Sequence, residues 1–475
     1  MKSIVIAAPM SGSGKTTVTL GIMECLKRKG LAVAPFKVGP DFIDPGWHRL
    51  VTGHASVNLD GWMCPEQFVR ETFALHSQGA DIAVIEGVMG LFDGIDGSSE
   101  AGSTAQVAKF LASPVVLVVD ARSQARSVAA LLQGFVRFDP RLQVAGVIFN
   151  NVGSENHARI LREAVACSLP ELQVLGCLKR DDRLRIPSRH LGLVTAEDTP
   201  LPRDFLDCLA AVIEEQVDVE GILSLPVTAA VQNQGQPQQV APTTPPASSI
   251  KAGKVTVAVA RDRAFCFVYE DNLRRLREAG AELVEFSPLV DPQLPSGICG
   301  IYLPGGYPEL FAETLAANQS MIGAIRAAIE AGMPVYAECG GLIYLTRGVR
   351  GTAMPGDIPD GSCRELVPLV GIFPVATSML PRRKALGYRE VELAADSILG
   401  LRGTMARGHE FHYSEMDEMP LHVERLYRVS KNNTPIGAEG YRSRNCLASY
   451  IHLHFGSCPE MAAAFVKNCL AFKNT

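Results

Sequence analysis

Residues 228–250, TAAVQNQGQPQQVAPTTPPASSI, contain five Gln and four Pro but no charged and no aromatic residue. A stretch of that composition buries too little apolar surface to offset its ordering entropy, which predicts a mobile linker. It divides a chain of 475 residues close to its midpoint, so each half must build its own core. Two domains are expected, residues 1–227 and 251–475, both of ordinary domain size. No internal repeat relates them.

Both halves alternate β-like runs with helical patterns, the pattern of an α/β fold with a parallel sheet covered on both faces. In the first half the predicted strands are Ser3–Ala8, Ala32–Val38, Ile82–Val88, Val115–Asp120, Val144–Asn150 and Val174–Leu178. They are continuous apolar runs rather than alternating ones, as strands buried on both sides require. In the second half Val255–Ala260, Leu283–Phe286, Gly300–Leu303 and Pro334–Ala337 open a similar series.

Composition narrows the function classes. With 45 basic against 50 acidic residues, the chain lacks the charge excess that binds nucleic acid without regard to sequence. The most apolar stretch, Phe110 to Ala121, is shorter than the ~20 residues of a membrane-spanning helix. The N-terminal MKSIVIAAPMSG is too brief for a signal peptide and reads as a first strand. Twelve cysteines without C-x-x-C pairs suggest reduced thiols and a cytoplasmic enzyme of small molecules.

The first strand runs into Ala-Pro-Met-Ser-Gly-Ser-Gly-Lys-Thr-Thr at 8–17. Gly14-Lys15-Thr16 fits the end of a P-loop, although Pro9 stands where the strict pattern has its first glycine. Backbone amides around Gly12 and Gly14 would cradle the phosphates of ATP. Lys15 would reach the terminal phosphates and Thr16 would hold Mg²⁺, with Thr17 continuing the helix. Carboxylates at neighbouring strand ends are candidate magnesium anchors: Glu86, then Asp41. Asp41 and Asp44 also lie among Gly and Pro, where turn chemistry alone accounts for them. Asp93 and Asp96 either act likewise or shape their loop. Lys37 and Asp44 are candidate substrate contacts.

In the second half, the strand ending at Ala337 leads into Glu-Cys-Gly-Gly-Leu-Ile-Tyr-Leu at 338–345. A cysteine between strand and helix, followed by glycines, fits a nucleophile elbow in which the helix N-terminus favours thiolate. That singles out Cys339, whereas Cys25, Cys167, Cys177, Cys208 and Cys469 sit in periodic patterns as inert packing residues. The base would come from Ala-Ser-Tyr-Ile-His-Leu-His-Phe-Gly at 448–456, read as one strand with His452 and His454 on one face. Leu-Pro-Gly-Gly-Tyr-Pro-Glu-Leu at 303–310 offers Gly305 and Gly306, with Gly340, as oxyanion and glutamine-site amides. Together they favour acyl transfer from an amide. In Arg-Gly-His-Glu-Phe-His-Tyr-Ser-Glu at 407–415, His409 and His412 lack a third ligand of diagnostic spacing. They read better as contacts to a large polar substrate than as metal ligands.

The joint occurrence of the variant P-loop, Lys-Val-Gly-Pro-Asp at 37–41, Ala-Arg-Asp-Arg-Ala-Phe-Cys-Phe-Val-Tyr-Glu-Asp-Asn-Leu at 260–273, Leu-Pro-Gly-Gly-Tyr-Pro-Glu, Ala-Glu-Cys-Gly-Gly and Gly-His-Glu-Phe-His-Tyr-Ser resembles the cobyrinate a,c-diamide synthases. The resemblance runs through nearly the whole chain outside the linker. It implies a dethiobiotin-synthetase-like ATPase followed by a class I glutamine amidotransferase of flavodoxin-like fold. Cys339 then matches the family nucleophile and His452 the triad histidine. Many class I amidotransferases have Glu two residues after that histidine, where this chain has His454, leaving the third member open. The implied reaction is ATP- and glutamine-dependent amidation of the a and c acetates of cobyrinate, with ATP and Mg²⁺ as cofactors. Alternatives are the same chemistry on hydrogenobyrinate or a nickel-sirohydrochlorin, or a ParA-like ATPase switch, for which a thiol nucleophile would have no use.

Overall fold

The computed structural model describes residues 1–184, 186, 201–226, 255–351, 365–380, 382 and 384–474. They form two compact units, one on each side of the Pro246–Ala247 bond. The Gln/Pro segment 228–250 lies outside the described residues.

In the first unit, seven strands form one parallel sheet: β1 Lys2–Ala7, β2 Val33–Val38, β3 Val57–Leu59, β4 Ile82–Glu86, β5 Val115–Asp120, β6 Val144–Val152 and β7 Gln173–Lys179. Their order is β3-β2-β4-β1-β5-β6-β7. The strands predicted from apolar runs are all present, because a strand covered on both faces leaves an uninterrupted signal. The added strand, β3, is only three residues long and too short to show a pattern. Register places Glu86 beside both Ile6 of β1 and Lys37 of β2. The C-terminal ends of these three strands therefore meet, where open α/β sheets bind ligands.

The second unit begins with the expected parallel strands β8 Val255–Ala260, β9 Ala281–Phe286, β10 Gly300–Leu303 and β11 Val335–Glu338. Along β10 side chains alternate between two cores. Ile301 and Leu303 join the helix Gln319–Glu330 on one side. Tyr302 joins the helices Glu270–Glu278 and Glu460–Lys473 on the other. A predominantly antiparallel region follows: β12 Thr346–Arg350, β13 Leu366–Pro368, β14 Phe373–Met379, β15 Ala385–Leu393, β16 Met405–His412, β17 Ser414–Met416, β18 Glu424–Lys431 and β19 Thr434–Ser443. Last come β20 Cys446–Ser449 and β21 Ile451–Leu453.

The ten-stranded sheet has the order β21-β16-β15-β18-β19-β20-β11-β10-β8-β9. Its end β9-β8-β10-β11-β20 is wholly parallel and has the flavodoxin order, 2-1-3-4-5. The remaining strands of this sheet pair antiparallel, while β13-β12-β14-β17 make a separate sheet. Only Tyr450 separates β20 from β21 in the chain, yet β20 pairs with β11 and β21 with β16. The sheet therefore curls back on itself and brings β16 and β21 near the end of β11. Among the described residues no helix is long and apolar enough to cross a membrane.

Candidate active site

In the first unit, the turn from β1 enters helix α1, Lys15–Arg28, through two left-handed glycines, Gly12 at φ +80° and Gly14 at φ +87°. Only glycine takes that conformation without strain. Gly14 caps α1 without a side-chain acceptor and the first turn carries no acid, so its amides and dipole are suited to an anion. A Cβ on Gly14 would lie 2.1 Å from Asn150 Nδ2, which itself donates to the Ser13 carbonyl at 3.0 Å. Asn150, at the end of β6, thus braces the loop, and the sequence reading missed it. Its signal was a polar pair, Asn150-Asn151, closing an apolar strand. Lys15 Nζ donates to the Met89 carbonyl at 3.1 Å. Burial, then the charge of Lys37, holds the Lys15 ammonium below its usual range. A desolvated cation gains strongly from an incoming phosphate.

Thr16 donates to Glu86 Oε1 at 2.6 Å. Fully buried Glu86 also faces His48, whose Nε2 lies 2.7 Å from its Oε2 and whose Nδ1 lies 2.9 Å from Ser56 Oγ. Lys37 Nζ sits 2.6 Å from Asp44, 3.4 Å from Glu86 and 3.7 Å from Asp41. Burial opposes the Glu86 charge, but Lys37 and His48 outweigh it and hold that carboxyl below the usual range. Burial, reinforced by the charges of Asp41 and Glu86, pushes Asp44 up despite Lys37. These surroundings favour the protonated form of Asp44.

Asp41 keeps both its readings. Its Oδ1 accepts from the amides of Ile43 and Asp44 at the start of helix α2, Ile43–Thr52, while Oδ2 faces Lys37. Asp93 and Asp96 shape their loop, accepting from Gly90 and from Ser98 and Ser99. The predicted residues Thr16, Lys37, Asp41, Asp44 and Glu86 are therefore brought together, joined by His48, which α2 turns back toward β4. For Mg²⁺ the donors fit: a hydroxyl and a carboxylate already in contact, with a second carboxylate beside them, all hard oxygens. Magnesium is commonly held by one or two carboxylates plus phosphate oxygens, so no larger protein cage is needed.

In the second unit, Cys339 has φ +44° and ψ −97° between β11 and the short helix Gly340–Leu345. A non-glycine residue there stores about 1–3 kcal/mol of strain, a cost that recurs where a nucleophile must be presented. Cys339 N–H donates to the Ser449 carbonyl at 2.7 Å, tying the elbow to β20. Its Sγ lies 3.7 Å from the Phe411 carbonyl. The two glycines that follow are required by close approach. A Cβ on Gly341 would meet the Leu303 carbonyl at 2.2 Å, and one on Gly340 would lie 2.8 Å from the Gly306 amide. Gly306 and Gly340 thus approach each other closely at the elbow.

Gly305 requires a correction. Its N–H donates to the Phe267 carbonyl at 3.1 Å, so it is not an oxyanion donor. It provides room instead, since a Cβ there would come 2.2 Å from His452 Cε1.

His452 and His454 also part company, against the expectation of a shared face. His452 is on β21, paired with His409 of β16, with ring centroids 6.5 Å apart. His454 lies beyond the strand end, against Tyr269 at 4.6 Å, and its Nδ1 accepts from the Gly456 amide at 3.0 Å. The reason is that β21 stops at Leu453, so strand alternation does not carry on. His412 points elsewhere than His409. It stacks on Tyr450 at 3.9 Å, with its ring nitrogens 2.7 Å from the Ser414 carbonyl and 2.9 Å from Glu410. Glu410, His412 and Tyr450 help line a cavity of about 430 Å³ with Arg389 and Arg425. Among the described residues no group of three or more His, Cys, Asp or Glu could hold a metal ion.

The electrostatics hold the free thiol protonated. Burial first, then the charges of Glu309 and Glu410, push Cys339 well above the usual thiol range, opposed by a hydrogen bond from the Gly340 amide. Burial raises Glu309 itself to about 7. Because the anion is the disfavoured form, thiolate appears only at higher pH. Without ligand, alkylation of Cys339 by iodoacetamide should be slow at neutral pH and still rising above about pH 10, where an ordinary thiol of pKa ~8.5 has levelled off. A plateau below that pH, measured by peptide mass analysis of the labelled chain, would contradict this assignment.

Comparison with known proteins adds the family. The profile of the CobQ/CobB/MinD/ParA nucleotide binding domain matches residues 4–194. That of the CobB/CobQ-like glutamine amidotransferase domain matches residues 256–459. A protein of Syntrophotalea carbinolica named cobyrinate a,c-diamide synthase is 46% identical over 475 residues, 98% of either chain. Proteins of the same name from Synechococcus sp. and Priestia megaterium are each 41% identical, covering 98% of both chains in the first case and 99% of this chain and 98% of the relative in the second. With a phosphate-type loop in one unit, a strained cysteine elbow in the other and this likeness from end to end, the chain belongs to the cobyrinate a,c-diamide synthase family.

Proposed function

We propose that this chain converts the a and c acetate carboxylates of cobyrinate into amides, using ATP and the amide nitrogen of glutamine. The observation that carries the reading is one chain holding both Lys15, Thr16 and Glu86 at a P-loop turn and Cys339 at a strained elbow. A carboxylate is a poor acyl donor, so a phosphate leaving group must be installed on it. Ammonia in water at neutral pH is mostly protonated, so releasing it from glutamine at need avoids a weak nucleophile.

In the amidotransferase unit, His452 accepts the thiol proton as Cys339 sulfur attacks the glutamine amide carbon. Gly306 and Gly340 are the oxyanion candidates. The C–N bond breaks with proton return from His452, ammonia leaves, and water hydrolyses the thioester to glutamate and free thiol. In the synthetase unit, Lys15 and the first-turn amides of α1 hold the ATP phosphates, and Thr16 and Glu86, with Asp41, would hold Mg²⁺. That ion, when bound, neutralises phosphate charge. The γ-phosphoryl group passes to the acetate oxygen, and ammonia displaces phosphate from the acyl phosphate. Lys37 and Asp44 are the nearest candidates to position the acetate, and His409 and His412 remain candidates for contact with the larger substrate.

Gly305→Ala tests the close approach of backbone to base. Its Cβ would displace the His452 ring, and misplacement of a catalytic group by about 1 Å costs ~100-fold. Glutamine-dependent turnover should fall by that order while ammonia-dependent turnover stays unchanged; equal rates with glutamine would contradict the placement. The substrate is tested by offering cobyrinate, hydrogenobyrinate and nickel-sirohydrochlorin with ATP and glutamine. Highest kcat/KM on cobyrinate is expected, and preference for either other tetrapyrrole would replace it.

A further inference from the structure

We infer that Glu338, the residue immediately before the nucleophile, is the carboxylate that positions His452, replacing the acid found two residues after the histidine in many class I amidotransferases. The inference rests on the reading of Cys339 and His452 as a glutamine-hydrolysing pair.

Glu338 is the last residue of β11 and is buried. Side chains of consecutive strand residues point to opposite faces, so Glu338 shares a face with Tyr336 while Cys339 turns up at the elbow. Its Oε2 lies 3.7 Å from His452 Nδ1. Three donors hold the carboxylate in that place: Tyr302 Oη to Oε2 at 2.9 Å, Tyr336 Oη to Oε1 at 2.5 Å and the Leu453 amide to Oε1 at 3.0 Å. The Leu453 amide belongs to the residue after His452, so base and carboxylate are referenced to the same stretch of backbone. Burial, then the charge of Glu338, pushes both tyrosine hydroxyls well above their usual range, so they stay protonated and donate to the carboxylate.

The position two residues after His452 does not provide an acid. His454 there is turned toward Tyr269, and burial lowers it to about 4, leaving a neutral ring. The groups facing the relay are few and come from four strands. Tyr302 of β10, Tyr336 of β11 and Tyr427 of β18 face Glu338. His409 of β16 faces His452 and is itself held neutral, down to about 3, by burial and then the charge of His452. Glu309 and Glu410 act on Cys339.

A carboxylate on the Nδ1 side favours the tautomer with its proton on Nδ1, which makes Nε2 the nitrogen that takes the thiol proton. It also stabilises the imidazolium formed when C–S bond formation begins. The proton stays on His452 until the amide nitrogen leaves, so Glu338 contributes orientation and charge and gains no proton.

The test uses the full chain with Glu338→Gln and Glu338→Asp. Glutaminase kcat should fall by ~100–10,000-fold in Glu338→Gln with KM nearly unchanged, and Asp should restore part of it. ATP- and ammonia-dependent synthesis should persist as the folding control. Alkylation of Cys339 separates positioning from mere charge removal. The Glu338 charge raises the Cys339 thiol, so deleting it alone would speed alkylation at neutral pH, whereas losing support for His452 slows it. Slower alkylation with collapsed kcat supports the inference. Unchanged kcat, or faster alkylation with kcat retained, overturns it. Should Glu338→Gln also lose ammonia-dependent synthesis, Tyr302→Phe decides, by removing the donor to the oxygen that faces His452. A drop of about tenfold in glutaminase kcat supports the relay, and no change overturns it. Absence of glutaminase activity in the unmutated chain would instead refute the underlying Cys339–His452 reading.

Discussion

Cys339→Ala is expected to lose glutamine-dependent amidation by about 10⁴-fold or more while retaining ammonia-dependent amidation at close to the full rate. No other group described at the elbow can form the thioester, so loss of the sulfur removes the first bond of the reaction. The substitution is conformationally mild. Alanine and cysteine meet the same strain at φ +44°, and the void left by one sulfur at a small buried site is modest. The Cys339 amide still reaches Ser449, so β11 and β20 stay tied. ATP consumption with ammonia as nitrogen source reports the synthetase unit independently. Loss of both activities in a folded variant would contradict the assignment of two separate sites.

Lys15→Ala is expected to abolish amidation from either nitrogen source, again by orders of magnitude, and to leave glutaminase activity measurable. Lys15 is the first residue of α1, directly after left-handed Gly14, and burial already disfavours its charge. Phosphate oxygens would repay that desolvation, and charge-assisted contacts of this kind stabilise the transferring group most in its transition state. The described cores of the second unit are built from residues of that unit, from Val255 onward. Steady-state rates with ammonia settle the matter: synthesis unaffected by the substitution would remove Lys15 from the ATP site.

Much of this was legible in residues that have one physical use. Gly12 and Gly14 announced the left-handed turn that opens α1, because few other structures need that spacing after an apolar strand. Cys339 stood out from the packed cysteines through its turn-forming neighbours. The parallel strands were visible as apolar runs. Most of the antiparallel region was not, since strands such as β19 are largely exposed along their length and carry little hydrophobic signal.

Relations made by tertiary closure were hidden altogether. Glu338 stands next to Cys339 in the chain, but its contact with His452 exists only because Tyr450 lets the chain pass from β20 to β21. His48 was in plain view, yet only α2 shows that it faces Glu86. Gly305 looked like an oxyanion donor because glycine in a loop leaves its amide unassigned, and the amide turned out to be engaged by Phe267.

The central claim is that the two units serve one reaction, with nitrogen drawn from glutamine and activation from ATP. Its most direct test is incubation of the chain with cobyrinate, ATP, Mg²⁺ and glutamine labelled at the amide nitrogen, followed by mass analysis of the tetrapyrrole. The expected product carries two labelled amides, with none formed when ATP is omitted. Unchanged cobyrinate in the complete mixture, alongside ordinary ATP and glutamine hydrolysis, would contradict the account.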